Sequence, residues 1–193
     1  MSAQQTLGKV AVVDTASLIL AGQSVGIPLI SARGLYTILE QEVGEEKKFY
    51  GRPIMTLAPA LSSPDNRLRG AFEEAGFELA FPKRSHEEDD AYIIEEINKV
   101  DPTRVSEIVL VGADHCYIIP LWRKLKEIEA VQGKRETPRV WWLTSELIEK
   151  NGTSCVGKML RKCFEAKMFG LAELANFRAQ LTFKPISHRS KKH

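Results

Sequence analysis

"EIVLVGADHCYIIPLWRKL", residues 107–125, is apolar or small from Ile108 to Ala113, stops on Asp114, and turns apolar again at Tyr117. An unbroken apolar run that ends on a polar residue reads as a strand buried on both faces, the mark of a parallel sheet. The apolar positions of "YIIPLWRKLKEIEAV" then recur with a helical period. Asp114 stands where that strand ends and that helix begins. A carboxylate beside a core is costly unless it is solvated, hydrogen-bonded or bound to a cation.

The same alternation extends to either side. "KVAVVD", Lys9 to Asp14, reads as a first central strand, followed by a Gly-containing stretch, "LAGQSVGIP". Ser31 is placed to cap a helix over "ARGLYTILEQEV". "RPIMTLAP" is a second strand, and Asp65 or Asn66 caps "RLRGAFEEAG", with Gly76 as its stop. "FELAFP" is a third strand. "EEDDAYIIEEINKV" is a helix whose first turn is crowded with acids, where the macrodipole favours them. "RVWWLTS" is a further strand, and "SCVGKMLRKCFEAKMFGLAELANF" has helical spacing at Met159, Leu160, Cys163, Met168 and Leu171. Strands alternating with helices predict an α/β domain of Rossmann-like form, a parallel central sheet with helices on both faces. The expected organisation is one domain over residues 1–177 and a basic tail over 178–193.

The charge is unevenly spread. Residues 150–193 carry ten Lys or Arg against two Glu, a net +8, while residues 1–149 net −6 and hold every Asp. An acidic body with a basic end allows cation binding in one place and phosphate attraction in another. For the last eight residues alone, a solubilising terminus is the simpler reading. Cys116, Cys155 and Cys163 are odd in number and lack the close pairing of a zinc site, which points to a reduced, cytoplasmic setting. No uninterrupted apolar run approaches the roughly 18–20 residues of a membrane span. The expected assembly is soluble, with homodimerisation open.

In an open parallel sheet, ligands bind outside the carboxyl ends of the strands. Asp14 and Asp114 both end strands, so both belong to that edge. Asp89 and Asp90 open a helix that starts on the same edge, and Glu96 lies nearly two turns further along. Carboxylates meeting there make a hard-oxygen site suited to Mg²⁺ or Mn²⁺. Each acid also has a plain structural reading. Asp14 and Asp114 are equally placed to cap the helices that follow them, and Asp89 and Asp90 to stabilise their own helix.

Several of these segments resemble a known family. "VVDTASL" resembles the first motif of the NYN domains, a branch of the PIN-like nucleases, in which a strand ends in Asp and a polar residue follows three positions later. "AFEEAGFELAF" resembles their helix-to-strand segment, and "EEDDAYIIEEI" their acid-led helix. "IVLVGADHCYIIPLWRKLKE" is similar to their strand ending Ser-Gly-Asp-x-Asp-Phe and the helix after it, and "MLRKCFEAKMFGLAEL" to their closing helix. The likeness runs in order over roughly residues 8–177. It implies a metal-dependent endoribonuclease in which Mg²⁺ or Mn²⁺ is held by Asp14, Asp90 and Asp114, with Asp89 as an alternate ligand and Ser17, Glu96 and Cys116 in support. The RNA expected is single-stranded. The chain departs from the family motifs at two places: Ser17 stands for the usual Asn or Asp, and Cys116 for the second Asp of the strand-end motif. Those departures set up the alternative, a domain that keeps the fold and binds RNA or a protein without turnover.

Other residues carry weaker signals. Lys83 and Arg84 are loop cations suited to RNA phosphates, as are Arg189, Lys191 and Lys192 in the tail. His115 and Cys116 adjoin Asp114, but adjacent helix residues do not face one another, so a zinc site is disfavoured. Cys155 and Cys163 read as small core residues, and His86 as a solvated loop residue. Burial is the simpler fate for Trp141 and Trp142. "GQSVG" lacks the Lys and the spacing of a phosphate loop.

Overall fold

The computed structural model describes residues 7–82, 86–112, 114–145, 149–150, 153–154 and 158–183, with backbone alone at 86–88, 149–150, 153–154 and 158. The decisive stretch forms β4, Val105–Val111, buried at all seven positions. It pairs in parallel with β1, Gly8–Asp14, on one side and with β5, Val140–Thr144, on the other. β2, Ile54–Thr56, and β3, Glu78–Ala80, extend the sheet beyond β1. A sixth strand, Gly170–Glu173, closes the far edge beside β5. Two short strands precede it in the chain, β6 (Glu149–Lys150) and β7 (Thr153–Ser154), an antiparallel pair apart from the main sheet. The sixth strand is therefore β8, and the order is β3-β2-β1-β4-β5-β8, all parallel. The winding reverses between β1 and β4, which is the switch point where such sheets open a crevice.

Strand alternation sorts the core into two layers. Ala11, Val13, Val109 and Val111 face one cluster, with Leu18, Leu35, Phe72 and Leu181. These come from α1 (Thr15–Ser24), α2 (Ala32–Thr37), α3 (Arg67–Ala75) and α7 (Arg178–Leu181). Val12, Ile108 and Leu110 face the other cluster, with Ile93, Ile97, Leu121, Leu125 and Leu160. Those belong to α4 (His86–Lys99), α5 (Ile118–Gln132) and α6 (Lys158–Glu165). Because the side-chain period of a strand is two, Asp14 follows Val12 onto the α4 face. That places its carboxylate toward the acid-led helix.

The expected caps form. Ser31 Oγ accepts from Gly34 N–H, Asn66 Oδ1 accepts from Leu68 and Arg69 N–H, and Gly76 takes φ 107° at the end of α3. One stretch is filled in and one expectation is corrected. The Gly-containing stretch after Asp14, assigned no element from the sequence, is largely the helix α1. Asp14 caps it and Leu18 and Ala21 bury its inner face, so the loop begins only at Val25. The helical spacing read across Met159–Leu171 also breaks. α6 ends at Glu165, and Lys167 turns the chain at φ 54°. Met159 is left exposed, and Phe169 packs 6.1 Å from the Trp142 ring as the chain enters β8. At Gly170 a Cβ would sit 2.4 Å from the Trp141 ring, so glycine lets β8 lie against β5. Trp142 is wholly buried and Trp141 half-buried. The packed chain continues past residue 177, since Leu181 is in the core and its carbonyl accepts from Ser31 N–H at 2.7 Å.

Candidate metal centre

At the switch point the polar groups come from three places. Asp14 ends β1 and is only 5% exposed. Its Oδ1 accepts from Ser17 N–H at 3.0 Å, and its Oδ2 accepts from Ser17 Oγ–H at 2.7 Å. The polar residue three places after the strand-end acid thus holds that acid in position. Asp114 follows β4 and accepts from Cys116 N–H at 3.1 Å, capping a short 3₁₀ turn, His115–Tyr117, that leads into α5. Both capping readings of these acids are realised. Asp90 reaches in from the first turns of α4.

The turn aims Tyr117 inward, where it is fully buried. Its hydroxyl lies 2.5 Å from Asp90 Oδ1 and 3.2 Å from Asp14 Oδ2. A phenol has one proton to donate, so it cannot satisfy two carboxylates as a donor at once. Carboxylate oxygens of Asp90 and Asp114 and the Cys116 sulfur all lie within 4.8 Å of one another. The Cys116 thiol has one proton, so it too cannot serve both carboxylates beside it as a donor. Among the described residues, no Lys or Arg pairs with Asp14, Asp90 or Asp114; the partner of Asp114 is the exposed His115, with Nδ1 at 3.1 Å from Oδ1.

The electrostatics follow from this crowding. Burial holds the Asp90 carboxyl above its ordinary pKa; the Tyr117 bond opposes that shift, while the charges of Asp114 and Asp14 add to it. Burial, then the charges of Asp114 and Asp90, push the Cys116 thiol well up, so it stays protonated at neutral pH. Burial and the Asp14 charge do the same to Tyr117. Like charges gathered without a counter-charge favour either a shared proton or a bound cation.

Of the residues singled out in the sequence, Asp14, Asp90, Asp114, Ser17 and Cys116 meet here. Asp89 adjoins Asp90 on α4 but is outside the group within 4.8 Å. Glu96 is engaged by Lys99 at 2.8 Å. Lys83, Arg84, Arg189, Lys191, Lys192 and Cys155 lie outside the described residues, as does the His86 side chain. Tyr117 was not foreseen. Its one signal in the sequence is a hydroxyl opening an otherwise apolar helix next to an acid.

No family model and no curated protein matches the chain. A solved structure does: a protein of unknown function from Vibrio parahaemolyticus, 15% identical, with a TM-score of 0.59 over 91% of this chain and 98% of that one. At that identity the likeness shows the fold alone, an α/β protein built on a parallel sheet. No helix among the described residues is long and apolar enough to cross a membrane.

Proposed function

We propose that the carboxyl edge of the sheet is the active site of an Mg²⁺- or Mn²⁺-dependent endoribonuclease. The observation that supports this most is the meeting of Asp14, Asp90 and Asp114 at the switch point with no Lys or Arg among the described residues to neutralise them. The donor set fits a hard cation in part. Asp90 and Asp114 offer hard oxygens, which suit Mg²⁺ and Mn²⁺, whereas a thiol suits them poorly. In this reading Asp90 and Asp114 hold the ion, and Cys116 stays a protonated thiol beside them. Asp14, with both oxygens engaged by Ser17 and Tyr117, adds negative charge from behind and fixes the Tyr117 hydroxyl. A bound divalent ion supplies Lewis acidity toward the oxygens of a phosphodiester.

RNA as the substrate rests on the family resemblance and on the basic run of residues 150–193, whose net +8 suits a polyanion. The unpaired thiols of Cys116 and Cys163 suit a cytoplasmic setting. A second reading has one specific support. Cys116 stands in the ligand group where the resembled motif has an Asp, which fits a domain that binds RNA without cutting it.

Incubating single-stranded RNA with the protein in Mn²⁺ separates the two readings. The enzyme reading expects cleavage that Asp114→Asn reduces at least about a hundredfold and Cys116→Asp increases. Retention of RNA without cleavage by the parent chain, with cleavage gained in Cys116→Asp, would establish the second reading. If Cys116→Asp folds and changes neither activity nor Mn²⁺ affinity, the motif is wrongly mapped onto this turn.

A further inference from the structure

An apolar cavity lies on the other face of the sheet from Asp90. Thr15, Leu18, Ile19 and Gln23 line it from one face of α1, Ile27–Ile30 from the following loop, and Leu68 and Phe72 from α3. None of these residues is charged. The volume is about 130 Å³, close to the roughly 150 Å³ of a dry apolar cavity that holds one benzene ring. Ile19 and Leu29 stand exposed among the lining residues, so the apolar lining reaches the surface. Two polar side chains, Thr15 and Gln23, stand in the otherwise apolar lining. Thr15 Oγ1 is buried and has no hydrogen-bond partner, although buried hydroxyls are nearly always paired. Rotation about χ1 interchanges Oγ1 with Cγ2, so the hydroxyl can turn to a ligand without moving the backbone.

We infer that this cavity is a binding site for a single planar six-membered ring that presents one hydrogen-bonding atom to Thr15. The volume sets the ring count, the uncharged lining excludes an ionic head, and the buried unpaired hydroxyl of Thr15 sets the polar contact. A free phenolic compound has that chemistry, whereas the pyrimidine base of a nucleotide carries more polar groups than this apolar lining can pair. The site itself does not depend on the metal reading.

The test titrates p-cresol and, separately, uridine into the full chain with EDTA present, following backbone amide and methyl NMR shifts. Neither probe carries phosphate or needs a cation, so failure here leaves the nuclease reading untouched. With p-cresol, saturable shifts are expected at Thr15–Ile19, Ile27–Ile30 and Leu68, with Kd on the order of millimolar for a ligand this small. Thr15→Val should weaken binding about tenfold while raising the melting temperature, because it removes an unpaired hydroxyl. Leu68→Trp should fill the cavity and abolish binding, and Leu29→Trp, at an exposed position, serves the same purpose if Leu68→Trp folds poorly. Binding of p-cresol and not of uridine is the expected result. The inference is overturned if p-cresol does not shift these residues, if uridine binds as tightly as p-cresol, if Thr15→Val binds as the parent does, or if folded Trp variants still bind.

Discussion

The two ends of the central strands handle charge in opposite ways. At the amino end, Lys9 of β1 and Glu107 of β4 are partners across the ladder, and both are fully buried. The Lys9 ammonium spends its three donors on the carbonyls of Glu40, Val43 and Glu45, at 2.9, 3.0 and 3.0 Å. Those carbonyls gather where a π-helical turn, Ile38–Glu42, extends α2 and ends, so the cation also meets the negative end of a helix. Glu107 accepts from Glu45 N–H at 3.1 Å, and Lys47 and Arg135 each stand 3.9 Å away. Arg139 donates to the carbonyls of Ser106 and Gly133 and to Gln132 Oε1. At the carboxyl end three acids meet, and no described Lys or Arg answers them. Charge that is matched holds a fold together; charge of one sign, gathered at a switch point, is what the proposed function reads as a cation site.

That contrast predicts opposite signs for mutations at the two ends. The largest effect belongs to Lys9→Met. It strips three carbonyls of their cation and removes one of the positive charges near the buried Glu107, and breaking a buried charge network in this way costs about 3–5 kcal/mol. Urea unfolding checks this, and a loss below about 1 kcal/mol would mean that the amino-end charges are not coupled. Adding Glu107→Leu to Lys9→Met should recover part of the loss, since it removes a buried acid left with less positive charge around it.

Tyr117→Phe comes next. It keeps the packing against Trp142, whose ring centre is 6.4 Å away, and removes only the hydroxyl between Asp14 and Asp90. A loss of about 1–2 kcal/mol is expected, measured in EDTA. Mn²⁺ should still bind, because Tyr117 positions acids and is not itself within the ligand group.

The smallest effect has the reverse sign. Asp90→Asn removes one of three like charges, so without divalent cations at neutral pH it should hold stability level or raise it by about 1 kcal/mol or less. The pH dependence follows from the raised carboxyl. Native Asp90 binds its proton more tightly than the unfolded chain does, so its contribution is most favourable below the unfolded value near 3.8 and is lost as pH rises through the folded pKa. Relative to Asp90→Asn, the parent should gain stability on acidification. A parent that loses stability relative to Asp90→Asn over that range would show that the acids are not crowded.

Much of the carboxyl end was legible because strand ends are legible. Asp14 and Asp114 terminate apolar runs, and Asp90 opens an amphipathic helix, so topology alone carries all three to one edge. Tyr117 was hidden because its role depends on contacts with Asp14 and Asp90, which are remote in sequence. The amino end was hidden for a different reason. Lys9 and Glu107 begin apolar runs, where a charge ordinarily marks solvent, and only their mutual register shows that both are buried. α1 was obscured by Gly22, which sits inside the helix with Ile30 Cδ1 3.0 Å from where its Cβ would be. β8 was obscured because "GLAE" has helix-favouring composition, and only packing on Trp141 makes it a strand.

The central claim is that the unmatched acids form a cation site and the matched charges do not. Calorimetric titration of Mn²⁺ into the parent, the Asp90→Asn/Asp114→Asn double variant and Glu96→Gln tests it most directly. The account predicts one saturable site in the parent, none in the double variant, and an unchanged site in Glu96→Gln, whose acid is held by Lys99. Binding of Mn²⁺ by the double variant with the parent's affinity, or no binding by the parent, would contradict it.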